Sequence, residues 1–155
     1  MSEPKQSLPK IIPHLCIRNC AAAIDWYTKA LGAVEVARHG MPDGNIMHAA
    51  VMINDALVFM NDEMPMMEAF SPLHFNGTPV TINLNVDNAD AWWERAVSAG
   101  ATVELPLADQ FWGDRYGMLT DPFGHQWSIA QHIKDMTPEE MQAAGVEAMA
   151  QMGQH

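Results

Sequence analysis

The chain has 155 residues, 48% of them apolar and 17% charged, and a formal net charge of −11. This composition fits one compact domain, or two small packed halves, and excludes a disordered chain. Acidic excess without a basic stripe argues against nucleic acid and anionic membranes as partners, and no apolar run reaches the ~18 residues that a spanning helix needs. Cys16 and Cys20 are the only cysteines. They complete no zinc site and read as free thiols in a reducing compartment. No signal peptide opens the chain, so the cytoplasm is the expected location.

Residues 1–9 are polar and read as a loose terminus. Residues 11–17 form the first strand. Ile11, Leu15 and Ile17 face one way with Pro13, and Ile12, His14 and Cys16 face the other. Pro13 points to an edge position or an irregular start. Asn19 is an N-cap for a helix over 21–31, with Ile24, Tyr27 and Leu31 on its apolar face and Gly32 as its stop. Strands follow at 33–38, 47–53 and 56–60. Met41-Pro-Asp-Gly44 and Asn54-Asp55 supply the turns. Asp62-Glu63 reads as a solvated turn rather than a general base. Residues 62–78 contain two prolines and three methionines together with Phe70 and Phe75. This stretch is too long for a hairpin loop, and it reads as a linker over the core and as a mobile lid, two compatible roles.

The pattern then restarts. Residues 79–86 form a strand with Val80, Ile82, Leu84 and Val86 on one face and Thr81, Asn83 and Asn85 on the other. Asn88 caps a helix carrying Ala89, Trp92, Trp93, Ala96 and Val97, with at least one of the tryptophans in the core, and Gly100 ends it. A strand at 101–107 and a loop at 108–113 lead into a hairpin over 110–132. Its turn is Asp121-Pro-Phe-Gly124. Beyond the turn Trp127 and Ile129 alternate with Gln126, Ser128 and Ala130. The tail from Asp135 begins with a capping box, Thr137 to Glu140. Its helix carries Met141, Ala144, Ala148, Met149 and Met152 on a soft apolar side, to lie on the body or on a partner subunit. The two halves align with an offset of 69 at Asn19 and Asn88, and of 68 at Gly32 and Gly100. The architecture is therefore α+β, built from two tandem βαβββ units.

A repeated βαβββ unit with Ala22-Ala-Ile-Asp-Trp-Tyr27 in its first helix and Asp121-Pro-Phe-Gly-His125 before its last strand resembles the vicinal oxygen chelate superfamily. That superfamily holds glyoxalase I, bleomycin-resistance proteins and extradiol dioxygenases. Pro42–His48, Trp112–Gly117 and Asp121–Ala130 resemble its PhnB-like branch. The resemblance spans about residues 10–134, as units of about 10–62 and 79–134, with 135–155 as a helical tail. It implies two mixed sheets curving into one cleft, with helices outside. Where a metal is present, the first and last strands of both units hold it. The cleft would then receive Ile12, His14, Cys16, Thr81, Asn83, Asn85, Gln126, Ser128 and Ala130. These are mostly polar, as a ligand cavity requires and a sealed core does not.

The family's metal-ligand positions fall at Ile12, Thr81 and Ser128, and near Val58 or Phe59. Hence neither a metal nor another cofactor is expected. His14 lies one pleat from Ile12 and suits a wall residue, a general base near pH 6.5 or a lone metal ligand. His48 and His125 suit structural hydrogen bonding, and His132 suits an exposed strand end. Thr81, Asn83, Gln126 and Ser128 are candidate ligand-binding residues, with Trp112, Arg115 and Tyr116. Arg115 offers a planar fork for a carboxylate or phosphate, or pairs with Asp114 to pin its loop. Phe111, Trp112 and Met60 serve as an apolar wall or as core. Three functions follow. The first is a metal-free protein of the bleomycin-resistance type that sequesters a small, partly apolar molecule. The second is a lyase, isomerase or hydrolytic catalyst of glyoxalase type using His14. The third is an interaction module using the Met-rich segments. A homodimer is expected.

Overall fold

The computed structural model describes residues 7–153. Positions 1–6 of the expected loose terminus and the last two residues of the tail lie outside them. The chain divides into two compact units, the first ending at Phe75 and the second beginning at Asn76. In the first, β1 (His14–Ile17) leads to α1 (Cys20–Leu31), then to β2 (Val34–Gly40), β3 (Ile46–Ile53) and β4 (Ala56–Asp62). A 3-10 turn (Pro65–Met67) and the short helix α2 (Pro72–Phe75) close this unit. In the second, β5 (Thr81–Asn85) leads to α3 (Ala89–Ser98), then to β6 (Thr102–Asp109), β7 (Asp114–Thr120), β8 (Gln126–His132) and α4 (Pro138–Met152). Each unit is thus βαβββ, and its four-stranded sheet is mixed. The orders are β1-β4-β3-β2 and β5-β8-β7-β6, with the first and last strands of each unit parallel.

Local chemistry sets these boundaries. The Asn19 side chain accepts the Ala22 N–H, and Gly32 closes α1 at a φ of 65°, a left-handed conformation that glycine adopts without Cβ strain. Asn88 accepts the Ala91 N–H and caps α3 in the same way. The expected face of α1 packs: Ile24, Tyr27 and Leu31 are buried with Leu15, Ile17, Val51 and Met60. Met60 is therefore core, not wall. Each such large side chain contributes roughly 1.5–3 kcal/mol on leaving water.

Several expectations are corrected. The first strand starts at His14 rather than at residue 11, and Ile11 is 88% exposed. Pro13 accepts from the Phe59 N–H at 2.8 Å but has no N–H to give, so the ladder stops there. Val80 is exposed as well, because the partner strand begins opposite Thr81, at Gln126. Neither Trp92 nor Trp93 is fully buried; Ala89 and Ala96 are the residues of α3 that reach the core, and Val97 is exposed. The strand expected to end at 107 continues to Asp109, which pairs with Arg115. Asp62 is not solvated. Its carboxylate is buried and accepts the Cys20 N–H at 2.8 Å and the Ile46 N–H at 2.7 Å.

The repeat reaches into this capping detail. Gln131 lies 69 positions after Asp62, and its amide oxygen accepts the Ala89 N–H at 2.9 Å. In both units, then, the last strand reaches across to satisfy an orphan donor at the start of the helix. Glu63 pairs with Arg18 at 2.5 Å and accepts the Ser71 N–H, which ties down the start of the 62–78 segment. In α4, Thr137 accepts the Glu140 N–H as expected. Gly145 lies against Phe111, but no residue of the helix is fully buried.

Candidate functional site

In the second unit, period-two alternation sends Thr81, Asn83, Gln126, Ser128 and Tyr116 to the same face of the sheet. Their polar groups answer one another. Thr81 donates to the Gln126 amide oxygen at 3.1 Å, Ser128 donates to Asn83 at 2.7 Å, and Asn83 donates to Asn85 at 2.8 Å. Ser128 and Ala130 are buried rather than open. They lie on β8, between β5 and β7, where Asn83 and Asn85 flank them on one side and Met118 and Tyr116 on the other. Trp112 joins this face from the β6–β7 turn. Its ring meets Tyr116 at 5.3 Å, and its indole N–H donates to Asp114 at 3.2 Å.

Arg115 is not with them. It points to the helix side, where its guanidinium binds Asp90 of α3 and Asp109 of β6, each at 3.0 Å. These carboxylates, Asp90 before Asp109, hold its pKa above the ordinary value. The intramolecular pairing weighed from sequence is what forms, but with different acids. The neighbouring Asp114 instead pairs with His132, whose other ring nitrogen meets Asp135 at 2.6 Å. Asp135 and then Asp114 raise the His132 pKa. Asn85, Asp87, Asp114, Gln131 and His132 border a cavity of about 460 Å³.

In the first unit, His14 is exposed beside the half-buried rings of Phe59 and His48, at centroid separations of 5.9 and 6.0 Å. His48 meets Phe59 edge-on at 4.7 Å and stacks with His39 at 6.2 Å. Burial, followed by the charges of His14 and His39, pushes the His48 pKa down. At the other end of this sheet, Ile11, Pro13, Met52 and Leu57 line a cavity of about 500 Å³.

Sequence reasoning singled out His14 but missed its grouping with His39 and His48. The available signal was that His39 and His48 flank a short turn and so become cross-strand partners. Asp121 was also missed as an organiser. Its buried carboxylate accepts the Phe123 and His125 N–H groups at 2.9 and 3.0 Å and the Trp127 indole at 2.8 Å. An Asp opening a turn, with Trp six residues on, carries that signal.

The residues at the family's metal positions do not fit a resident divalent ion. Ile12 offers no donor, and neither does Phe59, which pairs with His14 and so occupies the last-strand position. The Thr81 and Ser128 hydroxyls are engaged with Gln126 and Asn83. Among the described residues, no group of three or more His, Cys, Asp or Glu is placed to hold a metal.

Residues 11–129 match the family model of the Glyoxalase/Bleomycin resistance protein/Dioxygenase superfamily. The chain is 48% identical over 139 residues to the uncharacterized protein Rv0887c of Mycobacterium tuberculosis, a match spanning 88% of this chain and 82% of that protein. Among solved structures it resembles protein PA1353 of Pseudomonas aeruginosa, with 29% identity, a TM-score of 0.64 and coverage of 81% of this chain and 99% of that one. The PhnB protein of Bacillus cereus shares the fold at 15% identity, with a TM-score of 0.64 over 79% of this chain and 99% of its own.

Proposed function

The chain belongs to the Glyoxalase/Bleomycin resistance protein/Dioxygenase superfamily, and from that premise we propose that it binds a small, partly apolar molecule without a catalytic metal. One observation carries this reading: each sheet turns a face of polar and aromatic side chains away from its helix. His14, His48 and Phe59 lie there in the first unit, and Thr81, Asn83, Tyr116 and Gln126 in the second. Such a mixture is costly in a dry core and ordinary in a binding surface. The free thiols of Cys16 and Cys20 suit a cytoplasmic location, and no helix among the described residues is long and apolar enough to cross a membrane. A homodimer is part of the same proposal, since α4 leaves Val146, Met149 and Met152 uncovered.

The test is native mass spectrometry of the protein purified without a metal-affinity column, before and after chelation. A small-molecule adduct that survives chelator supports binding. Near-stoichiometric zinc, nickel, manganese or iron, lost on His14→Ala, overturns it in favour of a glyoxalase-type metal mechanism. A second reading, with His14 as a general base, rests on the exposure of that ring beside Phe59. Turnover abolished by His14→Ala with binding retained would establish it.

A further inference from the structure

Three imidazoles run across one face of the first sheet. In strand order β1-β4-β3-β2, His14 pairs with Phe59, Phe59 with Ala50, and His48, two residues before Ala50, pairs with His39. Register partners share a face, so His14, Phe59, His48 and His39 form one stripe opposite α1. Between and beside the imidazoles the face carries Cys16, Ala37, Ala50 and Asn61, none of them a carboxylate. The charged residues of β2, Glu35 and Arg38, pair with each other on the helix side, opposite Val51 and Ala49. Glu63, past the end of β4, is engaged by Arg18. Cys16 is the remaining titratable group on the face, and burial, followed by the charge of Glu63, pushes its thiol pKa up. In a chain of net charge −11, no carboxylate lies among these imidazoles; Glu63, the more strongly felt of the two acids at Cys16, is paired with Arg18. One pleat repeat further along the strands, ~7 Å away, lie Met52 and Leu57 with a mostly apolar cavity of about 500 Å³, whose one acidic lining residue is Asp55.

We propose that this face is an anion site whose ligand is a small aromatic carboxylate: the imidazoles of His14, His39 and His48 receive the carboxylate, and the ring rests on Phe59 toward Met52 and Leu57. This deepens the binding function proposed above and rests on it. Imidazole is the one side chain whose ordinary charge change falls between pH 5 and 8, so recognition strengthens as pH falls. A protonated imidazole at hydrogen-bond distance from a carboxylate gains far more than a neutral one. The lowered His48 pKa fits the arrangement, because burial first and then the charges of His14 and His39 disfavour its protonated form, and a bound anion opposes both.

The test uses the full chain with two probes of one shape, benzoate and the neutral benzamide. Calorimetry at pH 5.5 and pH 8 is read alongside the NMR signals of the histidine ring carbons. Benzoate should bind roughly tenfold or more tightly at the lower pH, shift the His14, His39 and His48 signals and raise the His48 midpoint, while benzamide shows no pH preference. His39→Gln, at an exposed position, should weaken benzoate at pH 5.5 and leave benzamide unchanged. Benzamide binding at both pH values as well as benzoate does would overturn the anion site and leave the binding function standing. Benzoate binding without movement of the three histidines would overturn it as well. Failure of both probes, with the ring signals still, would remove the site and the binding role of this face together.

Discussion

A single carboxylate at Asp121 orders the turn between β7 and β8, because two backbone N–H groups and the Trp127 indole converge on it in a buried setting. Asp121→Ala leaves those donors unpaired and should cost about 2–4 kcal/mol of stability in urea denaturation, with Asp121→Asn costing less. His48 and His132 should respond to pH with opposite signs. The folded pKa of His48 lies below its unfolded value, so its contribution is intact above the unfolded pKa and falls away as pH drops below ~6.5. The folded pKa of His132 lies above its unfolded value, so its stabilisation is present in mild acid and lost as pH rises through that folded value. Thermal melts across pH 5–9 should therefore show His132→Ala destabilising at pH 6 and nearly neutral at pH 9, with His48→Gln flattening the decline on the acid side. Single residues were also where sequence reasoning was most uneven. Asn19, Gly32 and Asn88 act locally, within a few positions, and were legible. Asp62 and Arg115 act across 42 and 25 positions, and no local pattern names such partners.

At the scale of elements, the contact between α3 and its sheet depends on a missing side chain. A Cβ on Gly117 would stand 2.5 Å from the Trp93 ring and 2.9 Å from the Leu107 Cα. Gly117→Ala should therefore push α3 outward, lower stability by about 1–3 kcal/mol and change the tryptophan emission of the folded state. Unchanged emission with full stability would mean that Trp93 moves aside freely. The elements themselves were readable because alternation and helical spacing are strong local signals. Their ends were less so: whether Ile11 or Val80 packs depends on where the partner strand begins, which lies more than 40 residues away in the chain.

For the whole molecule, the repeat made the fold legible. The register pairs His14–Phe59 and Asn83–Ser128 differ by one offset of 69 on both strands, so the two units follow one plan. The polar face was legible too, since alternation alone separates Thr81, Asn83 and Gln126 from Ile82 and Leu84. The imidazole stripe was not, because its members come from three strands and meet only through sheet order. The exposed apolar side chains of α4 lead to a further expectation, that light scattering at micromolar concentration gives twice the chain mass. Val146→Glu with Met149→Glu should return it to a monomer without loss of secondary structure.

Cys16 and Cys20, four residues apart, offer a handle for chemical labelling. Cys20 is fully enclosed, and its thiol is pushed up to about 12 by burial and by Asp62; the thiolate that alkylating reagents require hardly forms there. Cys16 is only half enclosed and lies two residues beyond His14 on the imidazole face. A maleimide should thus mark the native chain once, slowly and at a known address. A molecule resting on Phe59 and His14 would shield that address, so the rate of a single alkylation becomes a gauge of occupancy that needs no knowledge of what the occupant is.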